Sequence, residues 1–177
     1  MSDTLYDYRS FNPERLTKVI ESWNGLGGYH GLLVKLCASL RVGDSVLDVG
    51  CGACHLYEAF VLGNNVPKRY TGVDNNQQIL DMARSRHPTL DIRRGDLYDL
   101  TALDNYESVY AVGVYSGAPT KPDGLRQLLN HCKNALILTH FTDKRGVPAP
   151  IYDRFDLDIE FIKHSIDPRL EVMRIWI

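Results

Sequence analysis

Three chemistries overlap in one short stretch, "VLDVGCGACHL" at residues 46–56. Cys51, Cys54 and His55 spell C-x-x-C-H, the attachment signature of a c-type haem. Cys51 and Cys54 alone spell C-x-x-C, the dithiol of thioredoxin-like proteins, in which a helix N-terminus stabilises a thiolate. Asp48, Gly50 and Gly52 spell D-x-G-x-G, a glycine turn after a strand. Such glycines let the backbone bend sharply and let a ligand approach it closely.

The surrounding sequence weighs these readings. The first ten residues, "MSDTLYDYRS", have neither a basic n-region nor an apolar h-region, so no secretory signal is expected. Four cysteines in 177 residues do not make a disulfide framework. A reducing cytoplasm is therefore the expected location, which counts against haem. The dithiol reading leaves Asp48 and Gly50 without a role. The glycine-turn reading accounts for more residues. Asp74 ends "RYTGVD" about twenty residues further on, where a carboxylate can accept hydrogen bonds from both hydroxyls of a ribose. Asp96 ends the next strand, in "RRGDLYDL". Taken alone, each of these aspartates is better read as a solvated loop residue or a helix cap. Their shared place, at the carboxyl ends of successive strands, is where open parallel sheets bind ligands.

These residues have to be positioned by elements, and the patterning supplies them. With 44% apolar and 24% charged residues, the chain reads as one globular domain over 1–177. It divides into an N-terminal helical segment, 1–41, and a core, 42–177. A net charge of −2 and a pI near 6.3 disfavour nucleic acid as a partner. No apolar run is long enough to span a bilayer, so no membrane partner is expected. Residues 13–22 read as a helix with Asn12 as N-cap and Pro13 in its first turn, and 29–40 as a second. Strands are expected at "SVLDVG", "RYTGVD", "LDIRRGD", "YESVYAVGV" and "ALILTHF". Helices are expected at "CHLYEAFVLG", "NQQILDMARSR" and "DGLRQLLNHCK". The alternation implies a doubly wound α/β fold with a mostly parallel sheet. "LDIEFIKHSI" and "LEVMRIWI" alternate across a turn at Asp167–Arg169, so they close the sheet as an antiparallel hairpin. Residues 142–156 read mainly as loop.

With these elements in place, "VLDVGCGACHLYEAF" resembles motif I of the class I (Rossmann-like) S-adenosylmethionine-dependent methyltransferases. "YTGVDNNQQILDMARSR", "IRRGDLYDL" and "YESVYAVGVYS" resemble the motifs that follow it. The resemblance covers about Val42 to Phe141 and extends more weakly to the hairpin, the last two strands of that sheet. It implies a methyltransferase using S-adenosylmethionine and releasing S-adenosylhomocysteine, with neither metal nor haem. Gly50, Cys51 and Gly52 would border the methionine and ribose. Asp48 would shape the turn and help hold the methionyl amino group. Asp74 would take the ribose hydroxyls with Asn75 beside it, Asp96 the adenine amino group, and the Leu97 amide would face the ring. Val112, Gly113 and Val114 would line the floor beneath the sulfonium, although Val112 and Val114 read equally well as plain core. Where the family often has a third glycine this chain has Cys54, a residue small enough for close packing.

The acceptor side is less marked. Tyr115 and Ser116 after the fourth strand, and His140 at the end of the fifth, are candidates for a base or an orienting group. A lone strand-end histidine is more often structural. Tyr8, Arg9, Trp23, Tyr29 and His30 precede the core and could close over a cofactor or simply pack the first two helices. Arg84, Arg86, Arg93 and Arg94 could read a phosphate, but charges on helix faces and strand ends are usually just solvated. "YSGAPTKP" lacks the Asn-Pro-Pro-aromatic signature of enzymes that methylate exocyclic or amide nitrogens. The acceptor expected is a small molecule, with an exposed macromolecular group as the other candidate; no oligomeric state is specified. The competing readings are a catalytically silent cofactor-binding sensor or assembly subunit, and a C-x-x-C thiol oxidoreductase.

Overall fold

The computed structural model describes Glu14, Lys18 and residues 28–114, 122–139, 157–163 and 171–177. Glu14 and Lys18 are helical and pair across one turn at 2.7 Å, inside the first expected helix. The rest of that helix lies outside the described residues, as do Tyr8, Arg9, Trp23, the expected loop over 142–156, and the candidates Tyr115, Ser116 and His140.

In chain order the elements are α1 (Gly28–Ser39), β1 (Ser45–Val49), α2 (His55–Leu62), β2 (Arg69–Asp74), α3 (Gln77–Arg86), β3 (Asp91–Arg94), β4 (Tyr106–Ala111), α4 (Pro122–Asn130), β5 (Cys132–Thr139), β6 (Asp158–Lys163) and β7 (Glu171–Trp176). They form one seven-stranded sheet in the order β3-β2-β1-β4-β5-β7-β6. β1 to β5 run parallel, while β7 pairs antiparallel with both β5 and β6. The doubly wound sheet and its terminal hairpin are as the alternation of elements requires.

Period-two alternation explains the layering. Val46, Tyr70, Ile92, Tyr110 and Ile137 face one side, under Val34 and Cys37 of α1, Phe60 of α2 and Leu80 of α3. Leu47, Val49, Val109, Leu136 and Leu138 face the other, under Leu125 and Leu128 of α4. The central strands are thus apolar on both faces, which is why they read as continuous hydrophobic runs. At the amino edge, Glu107 clamps the start of β1. Its carboxylate accepts from the amides of Asp44 and Ser45 at 2.7 and 2.9 Å.

Three boundaries differ from the sequence reading. Cys132 and Lys133 belong to β5, not to the preceding helix. His131 turns the chain, and its carbonyl accepts from the Tyr106 amide at 2.8 Å, so pairing with β4 begins at once. β3 stops at Arg94, level with the last residue of β2, leaving Gly95 and Asp96 without a ladder to continue. β4 stops at Ala111, and Val112–Val114 form a turn in which Gly113 has φ +75°.

Candidate active site at the carboxyl edge of the sheet

The glycine turn leaves β1 under tight constraint. The amides of Gly50 and Cys51 both donate to the carbonyl of Val73, at 2.6 and 3.0 Å, so the turn folds back over the end of β2. Gly50 has φ +74°, and a Cβ there would sit 1.9 Å from Cγ2 of Val114. Only glycine meets both demands, the left-handed backbone and the close approach. Gly52 (φ +54°) and Gly113 (φ +75°) differ from it: among the described residues, a Cβ on either would meet nothing within 4 Å. Neither glycine is crowded by a described residue, whereas Gly50 is packed against Val114.

Asp74 joins the turn to the next helix. Its Oδ2 accepts from the Gly52 amide at 3.1 Å, and its Oδ1 from the Asn76 amide at 2.9 Å. Asn76 then caps α3, its side chain accepting from Gln78 and Ile79. Burial raises the Asp74 pKa above the ordinary carboxylate value, against the lowering effect of these amides. The neighbouring Asn75 is exposed, and its Nδ2 donates to Asp96 Oδ2 at 3.4 Å. Asp96 Oδ1 accepts from the Tyr98 amide at 3.0 Å, an Asx turn that carries Leu97 past the strand end. The Gly95 amide donates to the Asp74 carbonyl at 3.1 Å. Asp48, Asp74 and Asp96, with Gly50–Gly52, Asn75, Leu97, Gly113 and Val114, are thus gathered along the carboxyl ends of β3, β2, β1 and β4.

Asp48 lies deeper than its neighbours, only 2% exposed. It faces the α1 and α2 side, where the Tyr70 hydroxyl donates to its Oδ2 at 2.6 Å. Burial pushes its pKa up to about 7; the Tyr70 hydrogen bond pulls the other way, and the Asp74 charge adds to the rise. Tyr70 was not evident as a site residue from sequence. The only signal was a phenol in an otherwise buried strand, where its hydroxyl must find a partner.

The cysteines carry structure. Cys54 has φ 64° and ψ 35° at the N-cap of α2, a left-handed conformation. Cys54 is buried in the core, as a small packing residue should be, and its left-handed backbone angle is a separate feature that favours glycine at this position. The Cys51 thiol is pushed well above its usual range, first by its hydrogen bond with Cys54 and then by burial. These surroundings oppose the thiolate that dithiol chemistry requires. Of the four arginines expected to be solvated, Arg93 and Arg94 are exposed, while Arg84, Arg86 and Arg93 each reach a partner. Arg84 donates to the Ile92 carbonyl at 3.0 Å, Arg93 pairs with Asp91 at 2.8 Å, and Arg86 pairs with Glu58. Among the described residues, no group of three or more His, Cys, Asp or Glu side chains is placed to hold a metal ion. Nor is any described helix long and apolar enough to cross a membrane.

A doubly wound sheet closed by an antiparallel strand between β5 and β6, with a glycine turn and acidic strand ends along its carboxyl edge, defines a Rossmann-like ligand-binding protein. The chain belongs to the methyltransferase domain family, whose model matches residues 46–137, and has the class I S-adenosylmethionine-dependent methyltransferase fold. No curated protein matches the sequence at a significant level. Solved structures share the fold at low identity. One is CalS10 of Micromonospora echinaspora with bound S-adenosylmethionine, an amino pentose methyltransferase of calicheamicin biosynthesis (12% identity, TM-score 0.68, covering 91% of this chain and 96% of that one). Another is a TehB-like S-adenosylmethionine-dependent methyltransferase of Corynebacterium glutamicum (17%, 0.67, 93% and 98%). A third is magnesium protoporphyrin IX methyltransferase of Synechocystis with bound S-adenosylmethionine (16%, 0.61, 90% and 91%).

Proposed function

We propose that this protein transfers the methyl group of S-adenosylmethionine to a small-molecule acceptor and releases S-adenosylhomocysteine. One observation carries the reading. At the carboxyl ends of β1, β2 and β4, the left-handed Gly52 and Gly113 are crowded by no described residue, and Asp74 holds the Gly52 amide at 3.1 Å. A nucleoside cofactor with an amino-acid tail suits such a cradle.

In this assignment Gly50, Cys51 and Gly52 border the methionine and ribose. Asp74 and Asn75 take the ribose hydroxyls, using the lone pairs its amide partners leave available. Asp96 accepts from the adenine amino group, with the Leu97 amide facing the ring. Asp48 supports the turn from beneath and lies on the side of the methionyl amino group, which it helps to hold. Gly113 and Val114 form the floor under the sulfonium. When bound, the cofactor supplies a methyl group already activated by its sulfonium. What the chain contributes is orientation, which is worth ~7–11 kcal/mol when an acceptor is held in line. A base is required only for an acceptor that arrives protonated; Tyr115 and His140 are the residues assigned to that side.

The small-molecule acceptor is supported by modest net charge and by structural relatives whose named substrates are an amino pentose and a magnesium porphyrin. The four cysteines, all buried as free thiols, support a cytoplasmic location. Calorimetric titration with S-adenosylmethionine tests the cofactor, with binding expected. Transfer of labelled methyl from S-adenosylmethionine into the low-molecular-weight fraction of a cell extract tests the acceptor; label only in macromolecules would refute that half of the assignment.

A further inference from the structure

Thr139 is the last residue of β5 and is 2% exposed. A hydroxyl so buried needs a partner, and its Oγ1 accepts from the Gly113 amide at 2.7 Å. The β4–β5 ladder has already ended at Ala111↔Leu138. The threonine side chain therefore supplies one further acceptor beyond the point where the strand backbones stop pairing. Gly113 is left-handed, and the next residue, Val114, fills the space above Gly50. A continuous path thus runs from the Thr139 hydroxyl through the Gly113 amide and Val114 to the glycine turn. On its other side Thr139 is paired in register with Val172, so the antiparallel strand β7 backs the whole arrangement.

We infer that Thr139 is a positioning residue for the cofactor site: its hydroxyl sets the Gly113–Val114 turn against Gly50 and so fixes the width of the cradle. The inference rests on the S-adenosylmethionine reading above. Thr139→Val keeps the shape and removes the acceptor, leaving the Gly113 amide without it. Its affinity for S-adenosylmethionine should fall about tenfold, as loss of a buried partner implies. Thr139→Ser restores the hydroxyl and should bind within about twofold of wild type.

The experiment is calorimetric titration of wild type and both variants with S-adenosylmethionine, with thermal unfolding recorded in parallel. A purely structural threonine would lower the unfolding temperature of Thr139→Val without changing its affinity, and that result overturns the inference. So does a serine variant that binds as poorly as the valine variant. If wild type itself fails to bind, the cofactor reading fails and the inference goes with it. Amide hydrogen exchange on wild type removes any dependence on the valine variant folding. The Gly113 amide should exchange as slowly as the amides of β4, and exchange at the rate of an open loop overturns the inference.

Discussion

The Gly52 amide donates to the Asp74 carboxylate at 3.1 Å, so the glycine turn of β1 is held by the acidic end of β2. One side chain shapes the turn and, in the proposed assignment, also meets the ribose. Asp74→Ala removes an acceptor for two backbone amides together with the proposed ribose contact. It should weaken S-adenosylmethionine binding by more than about tenfold. Asp74→Asn retains one acceptor oxygen and should fall between the two. Calorimetry on the three proteins checks the order, and an alanine variant with wild-type affinity would mean the ribose lies elsewhere.

Gly50 and Gly52 share positive φ but not surroundings, and alanine at each should behave differently. Gly50→Ala adds left-handed strain of ~1–2 kcal/mol and a clash with Val114 worth ~1–3 kcal/mol. Adding Val114→Ala should recover the clash and leave the strain. Gly52→Ala carries the strain alone, since its methyl group meets no described residue within 4 Å, so its larger effect should be on binding of the proposed cofactor. Chemical denaturation of the three variants separates these contributions.

At Cys54 the backbone conformation can be isolated from the thiol. Cys54→Ala and Cys54→Gly both remove sulfur, but only glycine relieves φ 64°. The glycine variant should be the more stable by about 1 kcal/mol, and both should retain cofactor binding. Equal denaturation midpoints would show that position 54 does not select for a left-handed residue.

Asp48 should leave a signature in the pH dependence of stability. Its folded pKa, about 7, stands above the ordinary 3.8. The native state therefore holds a proton that the unfolded chain has released. The stability this provides is complete below pH 4 and is lost as pH rises through about 7. His30 and His55 act oppositely. Burial lowers both from 6.5 to about 4, so their contribution is present above pH 6.5 and lost as pH falls toward 4. The wild-type profile is the sum of these opposed slopes. Asp48→Asn removes only the first, so its stability relative to wild type should climb between pH 4 and 7 and level off above 8. Tyr70→Phe should destabilise by ~1–3 kcal/mol, more at pH 8 than at pH 5, because it strips the hydrogen bond from a charged carboxylate. Parallel denaturation curves across pH for the three proteins check both signs; a flat difference for Asp48→Asn would mean Asp48 is ionised throughout.

The sequence by itself determined the order of elements, the parallel sheet with its antiparallel close, and the row of Asp48, Gly50, Gly52, Asp74 and Asp96. Periodicity and strand-end chemistry are local properties, and the glycines and aspartates sit where local rules place turns and caps. Tertiary structure decided what those rules cannot reach. β3 ends at Arg94 because β2 ends level with it, and β5 begins at Cys132 because β4 is there to pair with. Arg84 turns inward because the Ile92 carbonyl lies beside it. Cys54 packs in the core as its size suggested, but its left-handed backbone angle is a second constraint that the sequence does not show. Tyr70 and Thr139 carry no motif; each matters only because folding buries its hydroxyl beside one group, Asp48 or the Gly113 amide. Such pairings join residues 22 and 26 positions apart, and a distance in space between side chains of different strands is not written in the pattern of either strand.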